Sequence, residues 1–334
     1  MLPSGAASKW KNSANILVQD SRRRIGALWR RILAFLIDSI AIAAIGAFLG
    51  YFFFDLLMGL GPAGRLVGYF VGFVYFALPE SSFGNGQSVG KRFLRLKIVN
   101  RDGNLISIER SFLRYTIFAL PWFIYGLPFS ISRMNPTGTF LFSLAIVGLG
   151  GATIYLIVFN RHTRQGVHDL ATGSYVAEAR MDNAISARPI WKPHWYIALI
   201  ILVLAAVTGS ETLSPRYGTS QLLADAHQVE SLPGVQSASI KREIIYNGGK
   251  EEINLSSYVR CTITTSEEET LANQVANSLI TTDPTIDKYS MLRIVLIRGY
   301  DIGIFHSSFS QTYSETPVHW RERFFAIPPQ EPAP

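Results

Sequence analysis

An aspartate lies inside the first long apolar run of the sequence. Asp38 interrupts the run from Ile32 to Phe54, and Arg31 stands seven residues before it. Seven residues are two helical turns, so both side chains project from one helix face with Cα atoms roughly 10 Å apart. A carboxylate in a membrane core costs about 2.5–3.5 kcal/mol and usually faces a partner or a water-filled cavity. Asp38 is therefore a structural ion-pair partner, a carboxylate on an ion pathway, or a tolerated bystander, while Arg31 is its partner or an orientation anchor at the interface.

The composition favours a membrane protein over a soluble one. Apolar residues make up 48% of the 334 residues, charged residues only 16%, and the mean hydropathy is +0.20. Soluble domains average about 25% charged residues. Residues 1–210 carry 21 Lys and Arg against 9 Asp and Glu, whereas residues 211–334 carry 10 against 15. Basic charge placed beside apolar runs indicates membrane orientation rather than nucleic-acid binding, and the single cysteine, Cys261, excludes an internal disulfide.

Five apolar runs approach the length of about 20 residues that a helix needs to cross a bilayer. They are Ile32–Phe54, Leu66–Pro79, Tyr115–Ile131, Thr139–Phe159 and Trp195–Gly209. We predict an α-helical membrane bundle of about five transmembrane helices, with a re-entrant third segment as the alternative because Pro121 and Pro128 interrupt it. Glycines at 64, 68 and 72 have the small-residue spacing of close helix contacts, so Gly64, Gly68 and Gly72 are a candidate homo-oligomer contact.

The basic residues predict the orientation of this bundle. The tail 1–31, the loop 81–114 and the loop 160–193 hold seven, seven and five Lys and Arg, whereas the other two connections hold only Arg65 and Arg133. The positive-inside rule then places the N-terminal tail in the cytoplasm and, after five spans, residues 211–334 outside. Within the loop 81–114, Asp102-Gly103 predicts the turn of a small cytoplasmic hairpin at about 90–110.

The last third of the chain has the alternating pattern of a folded domain. We divide the sequence into the tail 1–31, a transmembrane domain 32–180, a linker with the fifth helix 181–210, an extracytoplasmic domain 211–325 and a disordered tail 326–334. The order α-β-β-α-β-β predicts a two-layer α+β domain with an antiparallel sheet. Asn247-Gly248-Gly249 predicts its first turn, and Ser266 with Glu269 has the spacing of a capping box.

Other candidate chemistries are weaker. His162 and His168 lack the accompanying ligands of a metal site. The stretch "GNGQSVGK" lacks the spacing of a phosphate-binding loop, and residue 92 is Arg rather than Ser or Thr. Lys91 and Arg92 are better candidates for contact with anionic lipid headgroups. We expect no metal, no cofactor, no nucleic acid and, because no catalytic constellation stands out, no enzymatic activity.

Three stretches together resemble the RDD family of membrane proteins, which is named for one arginine and two aspartates. They are "RRILAFLID", "SVGKRFLRLKIVNRDGN" and "RQGVHDLATGSYV", within residues 20–180 or so. Arg31 and Asp38 match the arginine and aspartate of the family's first helix, and Asp169 matches its last aspartate. The residues Gly90, Lys91, Arg92, Asp102, Gly103 and Arg114 also fit the family pattern, while Ser88 departs from it conservatively, since threonine is commoner there.

The resemblance implies a bacterial inner-membrane protein, and it supports the fold more than the activity. For some members of the family, transport, including sodium/proton exchange, has been proposed. Other members look like assembly or quality-control partners. One hypothesis is therefore an ion-exchange component that uses a compact cluster of Arg31, Asp38 and Asp169, with Asp169 near Arg31 and Asp38 one layer deeper. In the alternative, the cluster is structural, Asp169 caps a short helix or is a satisfied loop carboxylate, and residues 211–325 bind a protein partner as part of a scaffold.

Overall fold

The computed structural model describes residues 25–125, 136–180, 184–185, 190–213, 220–247 and 250–325. Most of the predicted basic tail, the predicted Gly248-Gly249 turn and the predicted disordered tail 326–334 lie outside these residues. Contacts between residues divide the chain into two units. The first comprises Met1–Phe48, Arg65–Ser214 and Ile302–Phe305, and the second comprises Leu49–Gly64, Pro215–Asp301 and His306–Pro334.

Helices account for most of the first two-thirds of the chain. Each of the five apolar runs is helical where the structure describes it. The helices are α1 Leu28–Leu60, α2 Gly64–Gly72, α3 Val89–Phe93, α4 Ile108–Tyr125, α5 Pro136–Ser143, α6 Leu149–Phe159, α7 Val167–Thr172 and α8 Lys192–Leu213, and π-helical turns at Phe73–Ala77 and Leu144–Gly148 extend α2 and join α5 to α6.

The first two apolar runs are separate segments, as their lengths require. Helix α1 has 33 residues, which is about 50 Å and exceeds the roughly 30 Å of a bilayer core. Phe53 departs from helical geometry with φ −126° and ψ 29°. Gly61 then has φ +51° and Pro62 follows it, a pair that ends one helix and starts another because glycine tolerates positive φ and proline favours a first turn.

Helix α1 exposes its large apolar side chains instead of burying them. Only 22% of the apolar window in Leu28–Ala77 is buried, whereas the core helix of a soluble protein would be mostly covered. The exposed side chains include Trp29, Ile32, Leu33, Phe35, Leu36, Ile40 and Phe48. By length and composition, two helical runs, Leu28–Ala77 and Phe140–Phe159, can cross a membrane, and Lys192–Ala205 is a shorter apolar helix. The chain thus has the surface of a membrane protein.

The predicted hairpin at about 90–110 is wrong in its second strand. Strand β1 (Leu96–Val99) pairs antiparallel with β2 (Tyr175–Glu178), far along the chain, with Leu96 opposite Glu178 and Val99 opposite Tyr175. The turn itself exists: Asn100 N donates to Asn104 O at 2.8 Å. Beyond it only an isolated bridge joins Val99 to Leu105. The buried side chains of β1 and β2 pack with Ala34 and Ile106, so tertiary packing decides the strand pairing.

The second unit contains a four-stranded sheet in the order β3-β4-β5-β6. Its strands are β3 Val235–Asn247, β4 Lys250–Cys261, β5 Met291–Asp301 and β6 His306–Glu315, and its helices are α9 Ser220–Glu230, α10 Glu268–Thr282 and α11 Pro317–Phe325. The predicted element order α-β-β-α-β-β is confirmed, but the prediction of a wholly antiparallel sheet is wrong. β4 and β5 pair in parallel, because α10 returns the chain to the same end of the sheet as a crossover.

Helix packing on this sheet forms the core of the second unit. The core joins Val259 and Leu296 from the strands to Val275 from α10, and Trp320 from α11 is fully buried among them. The indole Nε1 of Trp320 donates to Leu292 O at 3.1 Å. The capping box lies two residues before its predicted position: Thr264 N donates to Glu267 Oε2 at 2.9 Å, and α10 follows at Glu268.

Candidate functional site

Asp38 is a buried carboxylate whose hydrogen-bond donors are all neutral. It lies on α1 with 1% of its surface exposed. Its Oδ1 accepts from the Tyr75 hydroxyl at 2.8 Å and from the Gly90 amide at 2.7 Å, and its Oδ2 accepts from the Ser88 hydroxyl at 2.6 Å. Among the residues that the structure describes, no Lys, Arg or His forms an ion pair with it. Asp38 therefore holds three donors and no counter-ion.

The start of α3 supplies two of these donors. Ser88 directly precedes α3, and Gly90 lies in its first turn, where backbone amides have no partner inside the helix. A Cβ on Gly90 would lie 2.1 Å from Ala34 O and 2.9 Å from Asp38 Cγ. Only glycine lets α3 approach α1 this closely, which explains sterically why residue 90 is a glycine.

A chain of ion pairs lies beside Asp38. Glu80 accepts from Lys91 Nζ through Oε1 and from Arg114 Nη1 at 2.6 Å through Oε2. Arg114 Nε continues to Asp169 Oδ1 at 2.8 Å, while Lys91 Nζ lies 3.4 Å from the Ser88 hydroxyl. Two cations thus alternate with two carboxylates, and the formal charge of this chain is zero.

Asp169 caps a short helix, as one of the sequence hypotheses predicts, and it pairs with an arginine other than the expected Arg31. It pairs with Arg114, and its Oδ2 also accepts from Gly166 N at 3.3 Å at the start of α7. The Ser174 hydroxyl donates to Oδ1 at 3.2 Å. Burial raises the pKa of Asp169, but His168, when it is protonated at low pH, and the guanidinium groups of Arg114 and Arg31 lower it by more, so its pKa lies well below the usual range.

His168 is a buried neutral imidazole beside this pair. Its Nε2 lies 3.4 Å from Asp169 Oδ2, and its ring packs edge-on against Phe118. Burial lowers the pKa of His168 to about 4, against the opposing effect of Asp169. Its Nδ1 is buried without a hydrogen-bond partner among the described residues, as expected for an uncharged ring.

Arg31 pairs with neither aspartate. Its Nε donates to Gly26 O at 3.1 Å, its Nη1 to Arg164 O at 2.5 Å and its Nη2 to Val176 O at 2.9 Å. Three carbonyl oxygens from three chain segments therefore take the place of the expected carboxylate partner. Arg31 ties the start of α1 to strand β2 and to the loop before α7.

Arg31, Asp38 and Asp169 nevertheless line one cavity of about 510 Å³. Its charged walls contain three basic side chains (Arg31, Lys91, Arg114) and three acidic ones (Asp38, Glu80, Asp169), and its other walls are largely apolar. Among the described residues, no group of three or more His, Cys, Asp and Glu is arranged to hold a metal ion. A proton or a monovalent cation needs only one carboxylate, and Asp38 is a carboxylate of this cavity without a basic partner in the described part of the chain.

The other predicted positions have separate surroundings. Arg92 is exposed, whereas Lys91 is half-buried and bonded to Glu80, so a headgroup contact now rests on Arg92 alone. Asp102 is exposed in the turn, and Gly103 has φ +86°. Gly64, Gly68 and Gly72 are all buried, and a Cβ on Gly72 would lie 2.1 Å from the Tyr115 hydroxyl oxygen. A homo-oligomer contact through these glycines stays a prediction.

Sequence reasoning missed Glu80 and Tyr75, and it identified Ser88 as a motif position but not as a partner of Asp38. Glu80 is the acidic residue that ends the second apolar run, in "FALPE". The orientation analysis counted basic residues only, so an acidic residue at that boundary carried no weight. Its signal was the position of a carboxylate at the boundary between an apolar run and a loop with seven cations.

Comparison with known proteins agrees with the sequence motifs. Residues 25–173 match the model of the RDD family, which covers the whole polar cluster from Arg31 to Asp169. No curated protein and no solved structure shows significant similarity to the chain. The chain therefore carries an RDD family domain over residues 25–173, followed by an additional C-terminal region.

Proposed function

We propose that this protein is an ion-coupled transport component, in which Asp38 binds and releases a proton or a monovalent cation such as Na⁺. The observation that carries the proposal is the buried Asp38 carboxylate, which lines the 510 Å³ cavity and has neutral donors only. A buried anion without a counter-ion is strongly disfavoured. A proton or a small cation supplies the missing positive charge.

The other two carboxylates of the cavity serve as a fixed frame. Glu80 and Asp169 each bond to a guanidinium or ammonium group, so their negative charges already have positive partners. Asp38, in contrast, is surrounded by the hydroxyl oxygens of Tyr75 and Ser88. Hard monovalent cations prefer oxygen ligands of this kind. In this proposal Asp38 is the exchangeable carboxylate of the cavity, and the neighbouring ion-pair chain has no net charge.

The proposed setting is a multi-pass protein of the bacterial inner membrane. Five crossings, with the N-terminus in the cytoplasm, agree with the distribution of Lys and Arg among the loops. In this arrangement the C-terminal residues from 211 onwards lie on the outer side. Cysteine accessibility in intact cells at His162→Cys and at Tyr246→Cys, each in a Cys261→Ser background, tests it. Labelling of both sites from the same side would contradict five crossings.

Ion flux in proteoliposomes tests the function. The purified protein is reconstituted with a pH-sensitive dye inside, and sodium or potassium gradients are imposed. We expect flux from the wild type and none from Asp38→Asn. Asp55→Asn is the matched control, because Asp55 is an exposed aspartate of the same helix. Equal flux from wild type and Asp38→Asn, or none from folded wild type under any gradient, would contradict the proposal.

A scaffold role is the second candidate, and a feature of the sheet favours it. Strand β3 is at one edge of the sheet and exposes Ile244, Ile245 and Tyr246 in succession. Exposed apolar edge strands pair readily with a strand from another chain. Purification in mild detergent should then retain a stoichiometric partner that Ile245→Lys releases. Recovery of the protein alone would weigh against this candidate.

A further inference from the structure

A second cavity, of about 530 Å³, has basic walls and belongs to no site described above. Its described lining consists of Ile25, Ala27, Arg161, His162 and Arg164. The two arginines and the histidine belong to the loop between α6 and α7. The described lining therefore contains two permanent positive charges, one titratable imidazole and no acidic side chain.

None of these three basic side chains has a hydrogen-bond or ion-pair partner among the described residues. Arg164 Nη1 is buried and has no acceptor. The contrast is with Arg30, which pairs with Glu178 at 2.7 Å, and with Arg114, which pairs with two carboxylates. A buried charged donor without an acceptor costs at least about 1–3 kcal/mol. An acceptor from outside the described chain would recover this free energy.

The backbone holds Arg164 in an unusual conformation. Its φ is +50°, a value that residues other than glycine adopt rarely. Arg164 N donates to Asn160 O at 2.7 Å, and Arg164 O accepts from Arg31, so the loop is fixed at both groups. Burial and the neighbouring Arg161 lower the pKa of Arg164. The fold therefore keeps two like charges close together with no counter-charge in the described lining.

We propose that this basic pocket binds a phosphate-type anion, either the headgroup of an anionic phospholipid or a free phosphate. Arginine is the side chain best suited to phosphate, because its fork of N–H donors matches two phosphate oxygens. The pocket also follows directly after α6, whose last residue, Phe159, is exposed. A basic pocket beside the end of an apolar helix lies where lipid phosphates lie.

Binding of two probes to the purified full-length protein in detergent tests the proposal. Native mass spectrometry compares retention of phosphatidylglycerol with that of phosphatidylcholine, and thermal unfolding is followed with inorganic phosphate alone. The variants are Arg161→Gln, at an exposed side chain, and Arg164→Asn, because asparagine tolerates positive φ. Arg101→Gln is the matched control, since Arg101 is an exposed arginine of another basic loop.

Each outcome bears on the proposal. We expect phosphatidylglycerol retention to weaken by roughly tenfold, about 1.4 kcal/mol, in both pocket variants and to persist in the control. A phosphate effect that is lost in the same variants would identify the free anion as the ligand, and retention of the lipid alone would identify the headgroup. Equal binding by wild type and Arg161→Gln, or no binding of either probe, would overturn the proposal even if Arg164→Asn failed to fold.

Discussion

Replacing Glu80 by glutamine removes one charge from the centre of the ion-pair chain and keeps the side-chain volume. Glu80 is 4% exposed in its side chain and bonds to both Lys91 and Arg114. Breaking a buried ion pair costs about 3–5 kcal/mol, because it leaves an uncompensated charge. Arg114 retains Asp169, and Lys91 retains the Ser88 hydroxyl at 3.4 Å. We therefore expect the lower end of this range, about 3 kcal/mol.

A double-mutant cycle separates charge balance from packing. Lys91→Gln alone leaves the chain with a surplus negative charge, whereas Glu80→Gln with Lys91→Gln restores neutrality around Arg114 and Asp169. The double variant should therefore lose less stability than the sum of the single variants, by about 1–3 kcal/mol. Denaturation of the purified protein in mixed micelles, followed by tryptophan fluorescence, measures the free energies of unfolding.

The control for this cycle is Glu109→Gln. Glu109 is an exposed carboxylate in the first turn of α4, and surface substitutions usually change stability by less than about 0.5 kcal/mol. If Glu80→Gln were as stable as this control, the chain of ion pairs would contribute nothing to the helix arrangement. Strict additivity in the cycle would instead show that Glu80 and Lys91 act independently.

Two further predictions follow from the same cluster. Gly90→Ala should prevent α3 from packing against α1, because its Cβ would lie 2.1 Å from Ala34 O. Gly59→Ala on α1 is the control, since no atom lies within 4 Å of its Cβ, and it should be neutral or slightly stabilising. The monodisperse fraction of each variant on size-exclusion chromatography measures the difference. His168 has a pKa of about 4 when folded against 6.5 in its ordinary state, so the stability present above pH 6.5 should fall by about 3 kcal/mol as the pH drops to 4. A pH series of thermal unfolding checks this, and an unchanged slope in His168→Gln would refute the assignment.

Local signals in the sequence predicted the helices well and the strand pairing poorly. Apolar runs depend on neighbouring residues, so the sequence pattern located them. The Asp102-Gly103 turn was also a local signal, and it formed. The expected second strand of the hairpin did not form, because Leu96–Val99 pairs instead with Tyr175–Glu178, and the side chains of these two strands share one buried apolar cluster. No window of sequence shows a pairing between segments that lie so far apart.

The candidate site divides in the same way. Asp38 was identifiable because a carboxylate in an apolar run needs a reason. The partners of Arg31 were not, since backbone carbonyl oxygens leave no trace in a side-chain pattern. Glu80 was missed because the role of an acidic loop residue depends on which cations the fold brings to it, here Lys91 and Arg114.

The short ladder between β1 and β2 also restricts how the chain can thread a bilayer. Hydrogen-bonded strands must lie on one side of a membrane, and Ile25 bridges to Ala177 beside them. Any arrangement across a membrane that keeps this ladder must therefore have an even number of crossings between Ile25 and β1, and again between β1 and β2. The five crossings proposed above meet this condition. In the proposed arrangement of five crossings, α8 is the crossing that decides which side of the membrane receives residues 220–325. The insertion of one helix would then set the location of the whole C-terminal region.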